Sequence, residues 1–192
     1  MLDIEAIGRV LAAHQSRSVE VAGERHAAVA LLLYQGDSGI EVLFIRRNQY
    51  DGDPWSGDVA FPGGGLEPQD AGPRQAAERE TWEEIGLRLG AEDYLGQLDD
   101  LAGAYLSVKI SCFVYRLSER PQLLLNGEVG AAFWVPLSEL QAAQRNQQAS
   151  FTYRGETRSH PIVTLDGYCD HFLWGITYRL LQSFFALLAA GH

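Results

Sequence analysis

The spacing of apolar residues divides the chain into recognisable elements. Leu2, Ile4, Ile7, Val10 and Leu11 recur at three- and four-residue intervals, which predicts an amphipathic helix over 2–14. A polar joint follows, up to about His26. Residues 27–35 (AAVALLLYQ) form a continuous apolar run of strand length, and 40–46 (IEVLFIR) is rich in β-branched and aromatic residues. The Gly36-Asp37-Ser38-Gly39 turn joins them as a hairpin with one strand buried on both faces. Residues 48–58 are turn-rich and read as an ordered loop; 59–61 is a short strand broken by Pro62-Gly63-Gly64-Gly65. Pro73 fits the first position of a helix that runs to Ile85 and stops at Gly86. Strands are expected at 94–99, 107–117 and 131–135, a short helix starts at Pro136, and a strand pair lies near 150–164.

Residues 171–190 are strongly apolar. Gly175, Arg179, Gln182 and Ser183 interrupt them, and a central Arg costs ~2.5–3.5 kcal/mol on membrane-insertion scales. A packed C-terminal helix is therefore expected rather than a membrane span. Its apolar surface is a candidate either for a homodimer contact or for covering a sheet.

Composition narrows the class. At 192 residues the chain suits one domain over 1–192. Its 25 acidic and 15 basic side chains, net −10, argue against a nucleic-acid duplex partner, because phosphate backbones demand clustered Lys and Arg. Two cysteines, Cys112 and Cys169, form no CxxC pair, and acidic Asp3 and Glu5 stand where a signal peptide would be basic. Reduced thiols and a cytoplasmic location are the expectation.

The chemistry concentrates in 63–87 (GGGLEPQDAGPRQAAERETWEEIGL). On a helix, Glu80 lies one turn from both Glu83 and Glu84, and like charges at that spacing repel. Such a face is either simply solvated or occupied by hard divalent cations, for which carboxylate oxygens are suitable ligands.

Arg79-Glu80-x-x-Glu83-Glu84-x-Gly86-Leu87, preceded by Phe61-Pro62-Gly63-Gly64, resembles the Nudix hydrolase signature, G-x5-E-x7-R-E-U-x-E-E-x-G-U with U aliphatic. Counted from Gly64, the first acid is Asp70 rather than Glu, eight residues rather than seven separate it from Arg79, and Thr81 takes an aliphatic position. These departures, with Glu67 and Asp70 as two spaced acids, look like the coenzyme A pyrophosphatase branch. The run 54–61, Arg46-Arg47 and the Trp174-Gly175-Ile176-Thr177 tail are similar too, so the resemblance spans about 27–185. Where relatives often show a Thr-Pro step, this chain has Tyr105-Leu106-Ser107-Val108-Lys109.

The resemblance implies a Nudix α/β/α sandwich with a mixed β-sheet, plus N- and C-terminal helices. It implies a Mg²⁺- or Mn²⁺-dependent hydrolase of a small nucleotide substrate, first coenzyme A or acyl-CoA. ADP-ribose, dinucleotides and nucleotide sugars stay open, as does a non-catalytic ligand sensor. Glu80, Glu84 and Glu83 would hold metal, with the Gly63 carbonyl. Glu83 and Glu128 are the candidate bases, Glu128 being a candidate for a further metal ligand as well and otherwise a loop carboxylate without a role. Arg79 would orient the carboxylates. Arg46 and Arg47 are phosphate-binding candidates, each otherwise a surface ion pair. Trp55 would stack on an adenine, or merely pack. The five histidines show no metal-ligand spacing, and Asp99-Asp100 reads as a strand end facing solvent, the alternative being an extension of the acidic site.

Overall fold

The computed structural model describes residues 3–23, 25–37, 39–49, 57–104, 106–153 and 156–191. Helix α1 spans Ile4–Ala13, strands β1 His26–Gly36, β2 Gly39–Arg47, β3 Val59–Ala60 and β4 Gly63–Gly65, and helix α2 Pro73–Ile85. Then come β5 Tyr94–Gln97, β6 Leu101–Ala102, β7 Lys109–Leu117, β8 Val129–Pro136, α3 Leu137–Gln141, β9 Asn146–Tyr153, β10 Glu156–Thr164, β11 Phe172–Leu173 and α4 Gly175–Ala190.

The hairpin forms as its turn predicts, β1 against β2 with Gly36 opposite Gly39. β1 runs parallel to β7, which makes the large sheet mixed. Its order is β3-β2-β1-β7-β5, with β8 beside β2, β4 beside β1 and β6 beside β7; β9, β10 and β11 form a second sheet. The glycine run does more than break a strand. Gly63–Gly65 pair with Val29, Ala28 and Ala27, and the backbones approach so closely that a Cβ on Gly63 would lie 2.3 Å from the Ala28 carbonyl oxygen. Only glycine fits there, with φ at +153°.

Strand alternation sorts the core into two layers. Ala28, Ala30 and Leu32 of β1, with Leu43 and Ile45 of β2, pack under Ala76, Ala77 and Ile85 of α2. Leu31, Leu33, Val42 and Phe44 face the other way, onto Ile7 and Leu11 of α1 and Leu180, Leu181 and Phe184 of α4. Helices thus cover both faces of the sheet. Asp3 caps α1 by accepting the Ala6 N–H at 2.7 Å. Helix α4 buries Leu180, Leu181, Phe184 and Leu188, and Arg179 in its midst donates to the Ala102 carbonyl at 2.7 Å. Among the described residues no helix is long and apolar enough to cross a membrane.

One expectation is overturned. Asp100 does not face solvent: it is 4% exposed, accepts the Ser111 hydroxyl at 2.6 Å and pairs with Lys109 at 3.2 Å. Asp99 accepts from the Arg17 N–H and pairs with His14. The two acids anchor the 14–18 segment and the strand ends, because a carboxylate buried in this layer requires charged and hydroxyl partners.

Candidate active site

Helix α2 is polar along most of its length, and only Ala76, Ala77, Thr81, Glu84 and Ile85 are buried. Glu84 therefore sits on the packed face rather than in solvent, with 1% of its side chain exposed. Its Oε2 accepts the Gly63 N–H at 2.9 Å, and its Oε1 accepts from Arg47 Nη1 at 3.2 Å. Desolvation pushes its carboxyl up to about 8; Gly63 and Arg47 oppose this, while the charges of Glu80 and Glu128 add to it. Burial also raises Glu80, against Arg79, with Glu83 and Glu128 raising it further.

Arg79 ties the site together. Its Nε and Nη2 donate to the two oxygens of Asp70, each at 3.1 Å. Its Nη1 donates to Glu80 and to Glu83, each at 3.0 Å, and Nη2 also reaches the Gly65 carbonyl at 3.0 Å. This bidentate grip accounts for the changed spacing: the shorter Asp70 side chain is delivered by a loop one residue longer and still meets the guanidinium. The same contacts hold Asp70 well below its ordinary range and raise Arg79. Thr81, at an aliphatic position, is fully buried and satisfies its hydroxyl on the Ala77 carbonyl at 2.7 Å. Gly64 supplies room: a Cβ there would stand 2.4 Å from the Glu80 carboxyl carbon.

The structure brings Glu80, Glu83, Glu84, Arg79 and Gly63 together, and the charge of exposed Glu128 is felt at Glu80 and Glu84. It is the Gly63 N–H that is tied to Glu84. Strand parity separates the two arginines. Arg47 shares the face of Leu43 and Ile45 and meets Glu84, whereas Arg46 shares the face of Phe44 and pairs with Asp170 at 2.7 Å. Trp55 lies outside the described residues. Sequence reasoning missed the Arg47–Glu84 contact; the alternation along β2 was the signal for it. Missed as well was a cavity of about 1000 Å³. It runs from Arg47 and Gly63–Gly65 along the α4-side face of the sheet to Phe151, His160 and Trp174. Phe151 and Trp174 stack at 4.6 Å, and Trp174 Nε1 donates to Asp58 at 2.9 Å.

No three His, Cys, Asp or Glu side chains among the described residues stand as a ready-made metal cage, since Arg79 spans Glu80 and Glu83. The donor chemistry nevertheless fits a hard divalent cation. It is all carboxylate oxygen, and the mutual repulsion and burial that raise Glu80 and Glu84 are what a cation would relieve.

A mixed sheet between helices, with this carboxylate helix laid on it, defines a Nudix fold. Residues 24–154 match the NUDIX domain, and the chain belongs to that family. It is 37% identical over 123 residues to the peroxisomal coenzyme A diphosphatase ndx-8 of Caenorhabditis elegans, covering 61% of this chain and 51% of the worm protein. The chain thus spans about half the length of that relative. It is 30% identical over 184 residues to the uncharacterized Nudix hydrolase NudL of Escherichia coli, covering 92% of this chain and 84% of that protein. A MutT/nudix family protein from Enterococcus faecalis superposes with a TM-score of 0.63 at 15% identity, covering 98% of this chain and 70% of that one. This last likeness concerns the fold.

Proposed function

We propose that the chain hydrolyses the diphosphate linkage of a nucleoside diphosphate derivative, with coenzyme A or an acyl-CoA as the first substrate. The observation that carries this reading is the position of Glu84. It is a carboxylate buried beside Glu80 and within the field of Glu128, and the two groups that hold it, the Gly63 N–H and Arg47, belong to residues that line a cavity large enough for a nucleotide. Burying it without a cationic ligand is costly, so the arrangement is functional rather than stabilising. The likeness to a coenzyme A diphosphatase supports the choice of substrate.

Glu80, Glu83 and Glu84 would hold Mg²⁺ or Mn²⁺, with the Gly63 carbonyl as a further ligand. Bound there, the cation supplies charge neutralisation on the phosphates and an acidified water. Arg79 holds the Glu80 and Glu83 carboxylates in register. Glu128, on the loop opposite, or Glu83 accepts the proton of the attacking water. Arg47 contributes positive charge where the diphosphate enters, while Arg46 is held by Asp170 at the opposite face. The products from coenzyme A would be 4′-phosphopantetheine and adenosine 3′,5′-bisphosphate, and the setting cytoplasmic.

The test is a substrate panel with Mg²⁺ and with Mn²⁺: coenzyme A, acyl-CoA, ADP-ribose, a dinucleotide and a nucleotide sugar, with products separated by chromatography. Metal-dependent cleavage of coenzyme A at the diphosphate supports the proposal. Preference for another member reassigns the substrate. Failure of all, by folded protein, leaves a non-catalytic ligand-binding domain.

A further inference from the structure

The large cavity carries charge that the hydrolytic site does not use. The chain is acidic, yet among the described residues lining the cavity the ionised groups are Arg25, Arg47, Arg158, Arg179 and a single carboxylate, Asp58. Asp58 receives the Trp174 indole, and Arg47 faces Glu84. Arg25 and Arg179 have no carboxylate partner among the described residues. Arg179 spends one nitrogen on the Ala102 carbonyl, which anchors its half-buried stem without neutralising it. Arg25 is exposed at the edge of β1, where its carbonyl accepts the Lys109 N–H.

These arginines stand apart from the scissile position. β3 pairs with β2 and β4 with β1, so both strands wedge between β2 and β1 at this end of the sheet. Three strand spacings, about 14 Å, then separate Arg47 from the β1 edge. That exceeds the reach of a single diphosphate. The first turn of α4 adds to the same field: Gly175, Ile176 and Thr177 line the cavity, and that turn has neither an acidic residue nor a side-chain cap. Between the two regions lies an apolar floor of Ala27, Val29, Val108 and Ile110.

We infer that the Arg25–Arg179 end of the cavity is a second anion subsite, which takes a phosphate monoester carried on the nucleoside part of the substrate. This rests on the hydrolytic reading of the neighbouring carboxylates and adds to it a basis for selectivity. A planar guanidinium donates two parallel N–H bonds to a phosphate, and two arginines beside an uncapped helix start suit a dianion. The diphosphate then lies at Gly63–Gly64 and Arg47, and the monoester at the β1 edge, about 14 Å from Arg47.

Coenzyme A and its 3′-dephospho form differ only in that monoester, so they make the test. Wild type is expected to show a kcat/KM at least tenfold higher for coenzyme A, expressed in KM. Arg25→Gln and, separately, Arg179→Met should each reduce that ratio fivefold or more. Arg25 is exposed, so its variant folds even if loss of the Arg179–Ala102 bond disturbs the other. Equal kcat/KM for the two substrates in wild type, or a ratio unmoved in both variants, overturns the subsite. Should neither compound be cleaved, the hydrolytic reading fails separately. Calorimetric titration with adenosine 3′,5′-bisphosphate and with AMP then decides the subsite. Fivefold tighter binding of the bisphosphate that is lost in Arg25→Gln supports it, and equal affinities overturn it.

Discussion

Glu84→Gln offers a test in which stability and activity move in opposite directions. Glu84 ionises near 8 in the folded protein against 4.5 for an exposed glutamate. Between those values the folded state holds a proton that the unfolded chain has released. The contribution to stability is fully present below about 4.5 and is lost as pH rises through about 8, at about 1.4 kcal/mol per pH unit. From pH 5 to pH 8 the loss is on the order of 3–4 kcal/mol. Glutamine has the shape of the protonated acid and cannot ionise. The variant should therefore match wild type near pH 5 and exceed it at pH 8 by about that amount, without metal. The assay is urea unfolding followed by tryptophan fluorescence in EDTA at pH 5, 6.5 and 8. Taking the difference between the two proteins cancels Asp70, Asp100 and the other groups they share. Added Mg²⁺ should stabilise wild type at pH 8 and leave the variant little changed, because a ligand selective for the folded state stabilises in proportion to its affinity. Metal-dependent turnover should fall a hundredfold or more. A variant less stable than wild type at pH 8, or parallel pH profiles, would refute the burial argument.

Gly63→Ala should lower stability by about 3 kcal/mol, since its Cβ meets backbone rather than a movable side chain. Gly64→Ala should leave unfolding within about 1 kcal/mol yet reduce turnover at least tenfold, because what must move is the Glu80 carboxylate; denaturation and kinetics on the pair separate the two effects. Arg79→Lys, which keeps the charge and loses the fork, should lower kcat more than it raises KM, as steady-state kinetics would show. Asp100→Asn should cost about 3 kcal/mol by leaving Lys109 under-compensated in a buried layer. Asp100 is held below its ordinary range by Ser111 and Lys109 against the opposing effect of burial. Its stabilisation is therefore present above about pH 4 and lost as pH falls, so wild type and Asp100→Asn should converge in acid unfolding.

Local pattern carried most of the fold. The hairpin, α2 with its Pro73 start and Gly86 stop, and the late strand pair all follow from periodicity and turn residues that act over a few positions. β4 and β6 were not legible, being two or three residues long and held entirely by partners distant in sequence. Glycine has no strand propensity to announce β4. It is there because a side chain would collide with β1. Asp100 was misplaced for the same kind of reason: its hydroxyl and cationic partners, Ser111 and Lys109, come from β7, and nothing in the local sequence pattern shows that it is buried.

For the site, the helical spacing alone put Glu80, Glu83 and Glu84 on adjoining positions, since 3.6 residues per turn leave no other arrangement. Sequence could not say which of them is buried. That depended on the β4 backbone lying against the helix, so that Glu84 meets the Gly63 N–H while Glu83 stays half-exposed. Nor could it choose between Arg46 and Arg47, although they are neighbours in the chain. Successive side chains on a strand point to opposite faces, and only the packing of α2 onto one face decided which arginine meets the carboxylates. The cavity belongs wholly to the tertiary level. Its walls come from β1, β7, the β9–β10 hairpin and α4, segments distant in the chain, and the gathering of positive charge in an acidic chain exists only once they are assembled.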